Sequence, residues 1–179
     1  MQISNSSKNQ DDTIAQLFKD TFTDSEGAEE GAVIHHLVRD LLNITPKDDL
    51  HIYTAHQDDA LCACAVFTQM RFADDPRQVF LLSPMAVATA HQGQGVGQKL
   101  LTHALKDLKA QGVAVAVTYG DPNFYGRVGF TPVTTQMVPA PQPLSMPEGW
   151  IAQSLSDTAL TPLPKPALCA PALDHPDYW

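Results

Sequence analysis

Apolar positions along the chain follow two rhythms. From Asp12 onward, Ile14, Leu17, Phe18 and Phe22 recur at helical spacing, and Asp11 or Asp12 stands where an N-terminal cap belongs. A second helix is expected over about residues 25–42, with Val33, Ile34, Leu37, Val38, Leu41 and Leu42 as its stripe and Thr45 and Pro46 as its stop. The rhythm then becomes strand-like. Residues 50–56 and 61–72 flank Gln57, Asp58 and Asp59 as a hairpin. After a turn at residues 73–76, Val79–Val87 adds a third strand, which makes an antiparallel meander.

The densest pattern lies at residues 78–130. The apolar strand Val79–Val87 leads to a small-residue turn, Gln92, Gly93, Gln94, Gly95, Val96, Gly97. A helix follows at once, burying Val96, Leu100, Leu101, Ala104, Leu105 and Leu108. Lys106 and Lys109 suit its C-terminal dipole end, and Gly112 is placed to stop it. Residues 113–118 are almost uniformly apolar, as in a strand covered on both faces. Strand, turn, helix and strand predict a parallel βαβ unit. The expected class is α/β in the broad sense (α+β): a mixed, mostly antiparallel central sheet flanked by helices. Pro84, inside the third strand, marks either an edge strand or a local splay that frees backbone groups ahead of the turn.

Past Phe130 the composition changes. Ten of the 14 prolines fall between Pro132 and Pro176. Residues 150–155 form the one convincing strand there; the rest is expected to lie extended over the domain. His175, Tyr178 and Trp179 either close the substrate side or form a loose end. The domain reading is therefore a flexible start at 1–11, a core at 12–133 and a proline-rich C-terminal extension at 134–179 packed on the same domain.

Length and composition narrow the function. A chain of 179 residues with 44% apolar content supports one domain with a real core. No apolar run approaches the 18 or so residues of a membrane helix, and the first dozen residues lack the features of a signal peptide. Three cysteines make no disulfide framework, so a cytoplasmic location is expected. Cys62 and Cys64 share one strand face and read as small buried residues. Net charge is −9, and residues 1–59 hold 12 acidic against 4 basic side chains. That balance argues against nucleic acid; it is compatible with a cationic amine, although an acidic surface mostly just aids solubility. Adjacent His35 and His36 point to different parts of a helix and make a poor metal pair, so no metal is expected.

A strand entering a helix through glycines presents backbone N–H groups at a positive dipole end, which is an anion site. A Walker A loop fails here because Gly97 is followed by Gln98 and Lys99. A dinucleotide fingerprint fails because the last glycine position holds Gln98. A second motif, G-D-P-N-F-Y-G-R-V-G-F, fills Gly120 to Phe130. Asp121 there is a natural cap and Pro122 a natural first helical residue. Gln92-x-x-Gly95-x-Gly97 resembles the Q/R-x-x-G-x-G/A signature of the GCN5-related N-acetyltransferase (GNAT) superfamily. Tyr125-x-x-x-Gly129-Phe130 resembles the segment that closes its acetyl-CoA site. The second motif is similar in particular to that of small predicted bacterial N-acetyltransferases.

The resemblance implies a GNAT-type fold and acetyl transfer from acetyl-CoA to a primary amine. It places pantetheine against the backbone of Met85, Ala86 and Val87, whose N–H groups are candidates for the oxyanion site. It places pyrophosphate at Gln92, Gly93, Gln94, Gly95, Val96, Gly97 and Gln98, with Gln92 standing where an arginine is often found. Tyr125 matches the general acid, and Asn123 either caps or contacts cofactor. Arg127 either reaches a phosphate or braces its helix. No base is legible: Ser83, His51 and Tyr53 are merely polar and on nearby strands. The expected acceptor is a small-molecule or peptide amine, with no nucleic acid or membrane partner, served by a monomer or homodimer. The alternative is a non-catalytic acyl-CoA-binding or sensor module.

Overall fold

The structure is a computed structural model that describes residues 1–5 and 10–179. Its elements run β1 (Gln2–Ser4), α1 (Asp11–Glu26), α2 (Ala28–Ile44), β2 (Leu50–Gln57), β3 (Ala60–Phe72), β4 (Val79–Val87), α3 (Val96–Ala110), β5 (Val115–Tyr119), α4 (Pro122–Tyr125), β6 (Thr131–Pro132), β7 (Trp150–Ser154) and β8 (Ala167–Leu168). The strand order is β1-β2-β3-β4-β5-β7-β6, with β8 pairing with β3. The β4–β5 pair is parallel, and β1–β2, β5–β7, β6–β7 and β3–β8 are antiparallel. This is the mixed, mostly antiparallel α+β sheet that the patterning predicts, and among the described residues four helices accompany it.

The chain folds as two compact units. One comprises Met1–Phe67 with Pro84–Ala104. In it α1 packs on α2, burying Ile14, Ala15, Leu17 and Phe18 of one and Ile34, Leu37, Val38 and Leu41 of the other. Gly27, at φ 101°, separates the helices, so Ser25 closes α1 and does not open α2. Val33, placed in the stripe by spacing, is 44% exposed. The cap of α1 is Gln10, with no side-chain cap bond. Asp11 and Asp12 lie one step further on, in the first turn, where negative charge suits the dipole. The expected hairpin is present, and its turn residues Asp58 and Asp59 both take left-handed φ (51° and 63°).

The start of the chain is more ordered than its polarity suggests. Gln2, Ile3 and Ser4 pair antiparallel with His56, Ala55 and Thr54. Strand addition satisfies backbone groups without needing an apolar pattern in the added strand. Part of the expected flexible start, residues 6–9, lies outside the described residues.

The second unit comprises Thr68–Ser83 with Leu105–Trp179. Val79, Phe80, Leu81 and Leu82 pair in parallel with Val115, Ala116, Val117 and Thr118. This register ends at Leu82, two residues ahead of Pro84, so the proline's missing N–H costs no bond to β5. The strand order also places β4 between β3 and β5, which disposes of the edge-strand alternative. Two bonds close α3: Gly112 N–H to the Lys109 carbonyl at 3.0 Å, and Val113 N–H to that of Leu108 at 3.0 Å. This is the paired closure of a Schellman motif.

The proline-rich stretch contributes to this unit's core. Trp150 is fully buried at the start of β7, with its indole N–H donating to the Val138 carbonyl at 2.8 Å. Trp179 is 5% exposed and donates to the Leu173 carbonyl at 2.8 Å. Its ring stacks on Tyr119 and meets Trp150 edge-on. The loose-end alternative for Trp179 is thereby excluded. Arg77 ties the stretch down. It is bidentate to Asp75 and donates to the Thr161 carbonyl, the Thr161 hydroxyl and the Pro162 carbonyl.

Candidate active site

The first unit carries the strand end and the glycine turn. Ala86 is buried, while Met85 and Val87 are half-buried. A 3-10 turn, Thr89–His91, then leads into the glycines. Gly93 and Gly95 take φ of 71° and 75°, and a Cβ at either would meet nothing within 4 Å. Their requirement is therefore conformational: the left-handed backbone favours glycine, and the space in front of it is open. Lys99 N–H donates to the Gly95 carbonyl at 3.1 Å, which makes Gly95 the residue from which α3 starts. Val96, Gly97 and Gln98 fill the first helical turn, whose N–H groups have no carbonyl partner within a helix. These donors and the helix dipole together favour an anion.

Two glutamines shape the turn from behind. The Gln92 amide donates to the Val87 carbonyl at 2.9 Å, and that of Gln94 to the Ala90 carbonyl at 2.9 Å. Gln92, expected as a substitute for a phosphate-binding arginine, thus ties the turn back to the last residue of β4. The seven predicted turn residues and Met85, Ala86 and Val87 all belong to this unit.

The second unit carries Asn123 and Tyr125. Asp121 caps α4 as predicted, accepting from the Asn123 N–H at 2.9 Å and from the Asn123 amide at 3.0 Å. Asn123 is exposed and spends one amide donor on this cap. Tyr125 N–H donates to the Asp121 carbonyl, and Phe130 N–H to that of Tyr125. Gly129, at φ 99°, ends the motif. The Tyr125 ring lies edge-on to Phe124 and Phe130, with centroids 5.0 Å and 5.8 Å away. Burial pushes its phenol above the ordinary value; a hydrogen bond with Thr118 opposes this, and the Asp121 carboxylate adds to the rise. The hydroxyl thus stays protonated at neutral pH. Arg127 is exposed.

Thr118 is the site neighbour that sequence reading missed. It is 1% exposed, and its hydroxyl donates to the Leu82 carbonyl at 2.9 Å. Its only signal was a lone hydroxyl ending an apolar strand. Among the base candidates, Tyr53 is fully buried, with its ring edge-on to Phe67 and His103. That marks it as core. Cys62 and Cys64 are buried free thiols, and burial raises both. Cys62 donates to the Ala55 carbonyl. They are packing residues, as their spacing suggested.

Residues 48–132 match the acetyltransferase (GNAT) domain family. The fold is that of GNAT proteins, and the stretch that matches the GNAT acetyltransferase domain runs from the strand before β3 to the end of β6. The chain is 32% identical over 103 residues to the uncharacterized N-acetyltransferase YjhQ of Escherichia coli K12, across 54% of this chain and 56% of that protein. It is 28% identical over 108 residues to the uncharacterized N-acetyltransferase YhbS of the same strain, across 59% of this chain and 60% of that one. The matches thus span less than two thirds of either relative. The crystal structure of YhbS in complex with CoA superposes with a TM-score of 0.73 at 21% identity, covering 97% of this chain and 92% of the other. A GNAT acetyltransferase from Brucella melitensis in complex with acetyl-CoA gives 0.67 at 20%, covering 97% of each chain. Among the described residues, no helix is long and apolar enough to cross a membrane.

Proposed function

We propose that this chain is an acetyl-CoA-dependent N-acetyltransferase acting on a primary amine. The observation that carries the proposal is the turn at the start of α3. Two left-handed glycines front open space there, at a helix end whose N–H groups lack helical partners. A diphosphate fits such a turn without a cationic side chain. The match of residues 48–132 to the GNAT acetyltransferase domain, and the CoA and acetyl-CoA bound by the two structural relatives, support the same ligand.

In this reading Gly93, Gly95, Val96, Gly97 and Gln98 hold the pyrophosphate, with Gln92 and Gln94 bracing the turn. The backbone of Met85, Ala86 and Val87 lies along the pantetheine arm and supplies N–H donors to the carbonyl oxygen as it gains charge. The bound thioester supplies the acetyl group. A neutral amine nitrogen forms the new bond to the carbonyl carbon while the carbon–sulfur bond breaks. The nitrogen gives up one proton to solvent, and the departing sulfur takes one from Tyr125. A thiol titrates near 8.5 and a phenol near 10, so a phenol that stays protonated can make this transfer.

The test is a titration and an assay. Calorimetry should detect acetyl-CoA binding, and a thiol reagent should report coenzyme A release when amines are offered. Binding without turnover across a broad amine panel would favour the acyl-CoA sensor; absence of binding would sink both readings.

A further inference from the structure

The second unit holds a buried hydroxyl whose bonds point to a role beyond packing. Thr118 is 1% exposed and follows the apolar Val115, Ala116 and Val117 of β5. A valine would fill the same space without a polar atom to satisfy. The Thr118 hydroxyl donates to the Leu82 carbonyl at 2.9 Å, across the last register pair of β4 and β5. It is also hydrogen-bonded to the side chain of Tyr125. Thr118, Leu82 and Tyr125 all belong to this unit.

The place of the Tyr125 ring agrees with that second bond. A Cβ on Gly120 would stand 2.7 Å from Cε2 of Tyr125 and 3.7 Å from Cζ, the carbon that bears the hydroxyl. Residues two apart in an extended chain share a face and lie about 7 Å from each other. Gly120 directly follows β5, two residues past Thr118, so a ring lying over Gly120 is within reach of the Thr118 side chain. A hydroxyl has one proton to donate and two lone pairs with which to accept. Thr118 spends its proton on Leu82, so in the resting site the phenol donates and Thr118 accepts.

We infer that Thr118 is a positioning residue that acts through Tyr125: its hydroxyl aims the phenol and turns to hold the phenolate when the proton leaves. The inference rests on the transferase reading for the destination of that proton. As the carbon–sulfur bond breaks, its electron pair goes to sulfur, the Tyr125 O–H bond breaks and an S–H bond forms. Thr118 keeps its own proton and rotates it from the Leu82 carbonyl to the phenolate oxygen. Solvent then returns a proton to the phenolate. A hydrogen bond to the charged form makes the phenol a stronger acid, which opposes the effect of its burial. Without Thr118 the phenolate would lose this donor between the rings of Phe124 and Phe130.

The test reads the phenol directly, apart from catalysis. Phenolate absorbance in the near ultraviolet is followed after rapid mixing to alkaline pH in the wild-type chain, Thr118→Val and Thr118→Ser. The same titration of Tyr125→Phe, subtracted, isolates Tyr125 from the chain's other tyrosines. Thr118→Val should raise the Tyr125 midpoint by about one pH unit, the scale of one hydrogen bond to a charged group, and Thr118→Ser should restore it. Coenzyme A release should follow. Its kcat falls roughly three- to tenfold in the valine variant and recovers in the serine variant, while KM for acetyl-CoA stays level in both. A packing role predicts the reverse order, because valine fills the space of threonine and serine leaves a void. An unmoved midpoint in Thr118→Val, or a serine variant that behaves like the valine one, would overturn the inference. The titration does not depend on turnover. A wild-type chain that releases no coenzyme A, yet shows the raised and restored midpoints, keeps the Thr118 assignment and loses the transferase reading.

Discussion

A Cβ placed on Gly120 would stand 2.7 Å from Cε2 of Tyr125. The glycine that opens the G-D-P motif is therefore the floor on which the Tyr125 ring rests. A ring fixed by Phe124 and Phe130 cannot yield as a flexible side-chain tip would. Gly120→Ala should displace Tyr125 and destabilise the chain by about 1–3 kcal/mol, as overpacked cores do. Thermal melts and the coenzyme A release assay check this together. A variant with normal turnover would mean that the ring's position is immaterial to the chemistry.

Tyr125→Phe should cut turnover by roughly 10²-fold or more, within the range for loss of a general acid, and leave acetyl-CoA affinity nearly unchanged. The phenol's folded value is raised, so its contribution to stability is intact at neutral pH. It is lost as pH rises above about 10 through that folded value. Melting curves between pH 9 and 11 should therefore fall more steeply for wild type than for Tyr125→Phe. Parallel curves would refute the burial of the hydroxyl.

Gly95→Ala puts a side chain on a left-handed backbone and should cost about 1–2 kcal/mol with no steric clash. Gly95→Asn should cost less, because asparagine enters this region more readily. Comparing the two melting temperatures isolates backbone conformation from bulk. Acetyl-CoA affinity should follow the same order.

Arg77→Ala should release the segment at Thr161 and Pro162 and lower stability by about 1–3 kcal/mol, the scale of hydrogen bonds to charged groups. Limited proteolysis should then cut near residue 161. Its partner Asp75 is held below the usual carboxylate range, chiefly by its hydrogen bond to Arg77. That contribution is present above the ordinary carboxylate value, near pH 4, and is lost as pH falls through the folded one. Acid melts should therefore show a smaller loss in the Arg77 variant.

The sequence was legible where local rules decide. Val79–Val87 has the bounds its apolar run and flanking turns indicate. Asp121 and Pro122 start α4 because capping and proline geometry act within a few residues. It was illegible where partners are distant. Gln2, Ile3 and Ser4 are too few to display a strand pattern, and only their pairing with β2 makes them a strand. Gly27 divides α1 from α2 inside a stretch whose periodicity reads as helix on either side. The burial of Thr21 and Thr118 depends on what packs over them, which no spacing rule encodes.

The packing of Trp150 and Trp179 has a spectroscopic consequence. They are the chain's only tryptophans, and both belong to the unit that contains Tyr125. Intrinsic tryptophan emission therefore originates wholly in the second unit, and no tryptophan lies in α1, α2 or the glycine turn. Far-ultraviolet dichroism sees those helices directly. If the two signals part company during denaturation, the gap between them is a record of the first unit loosening on its own.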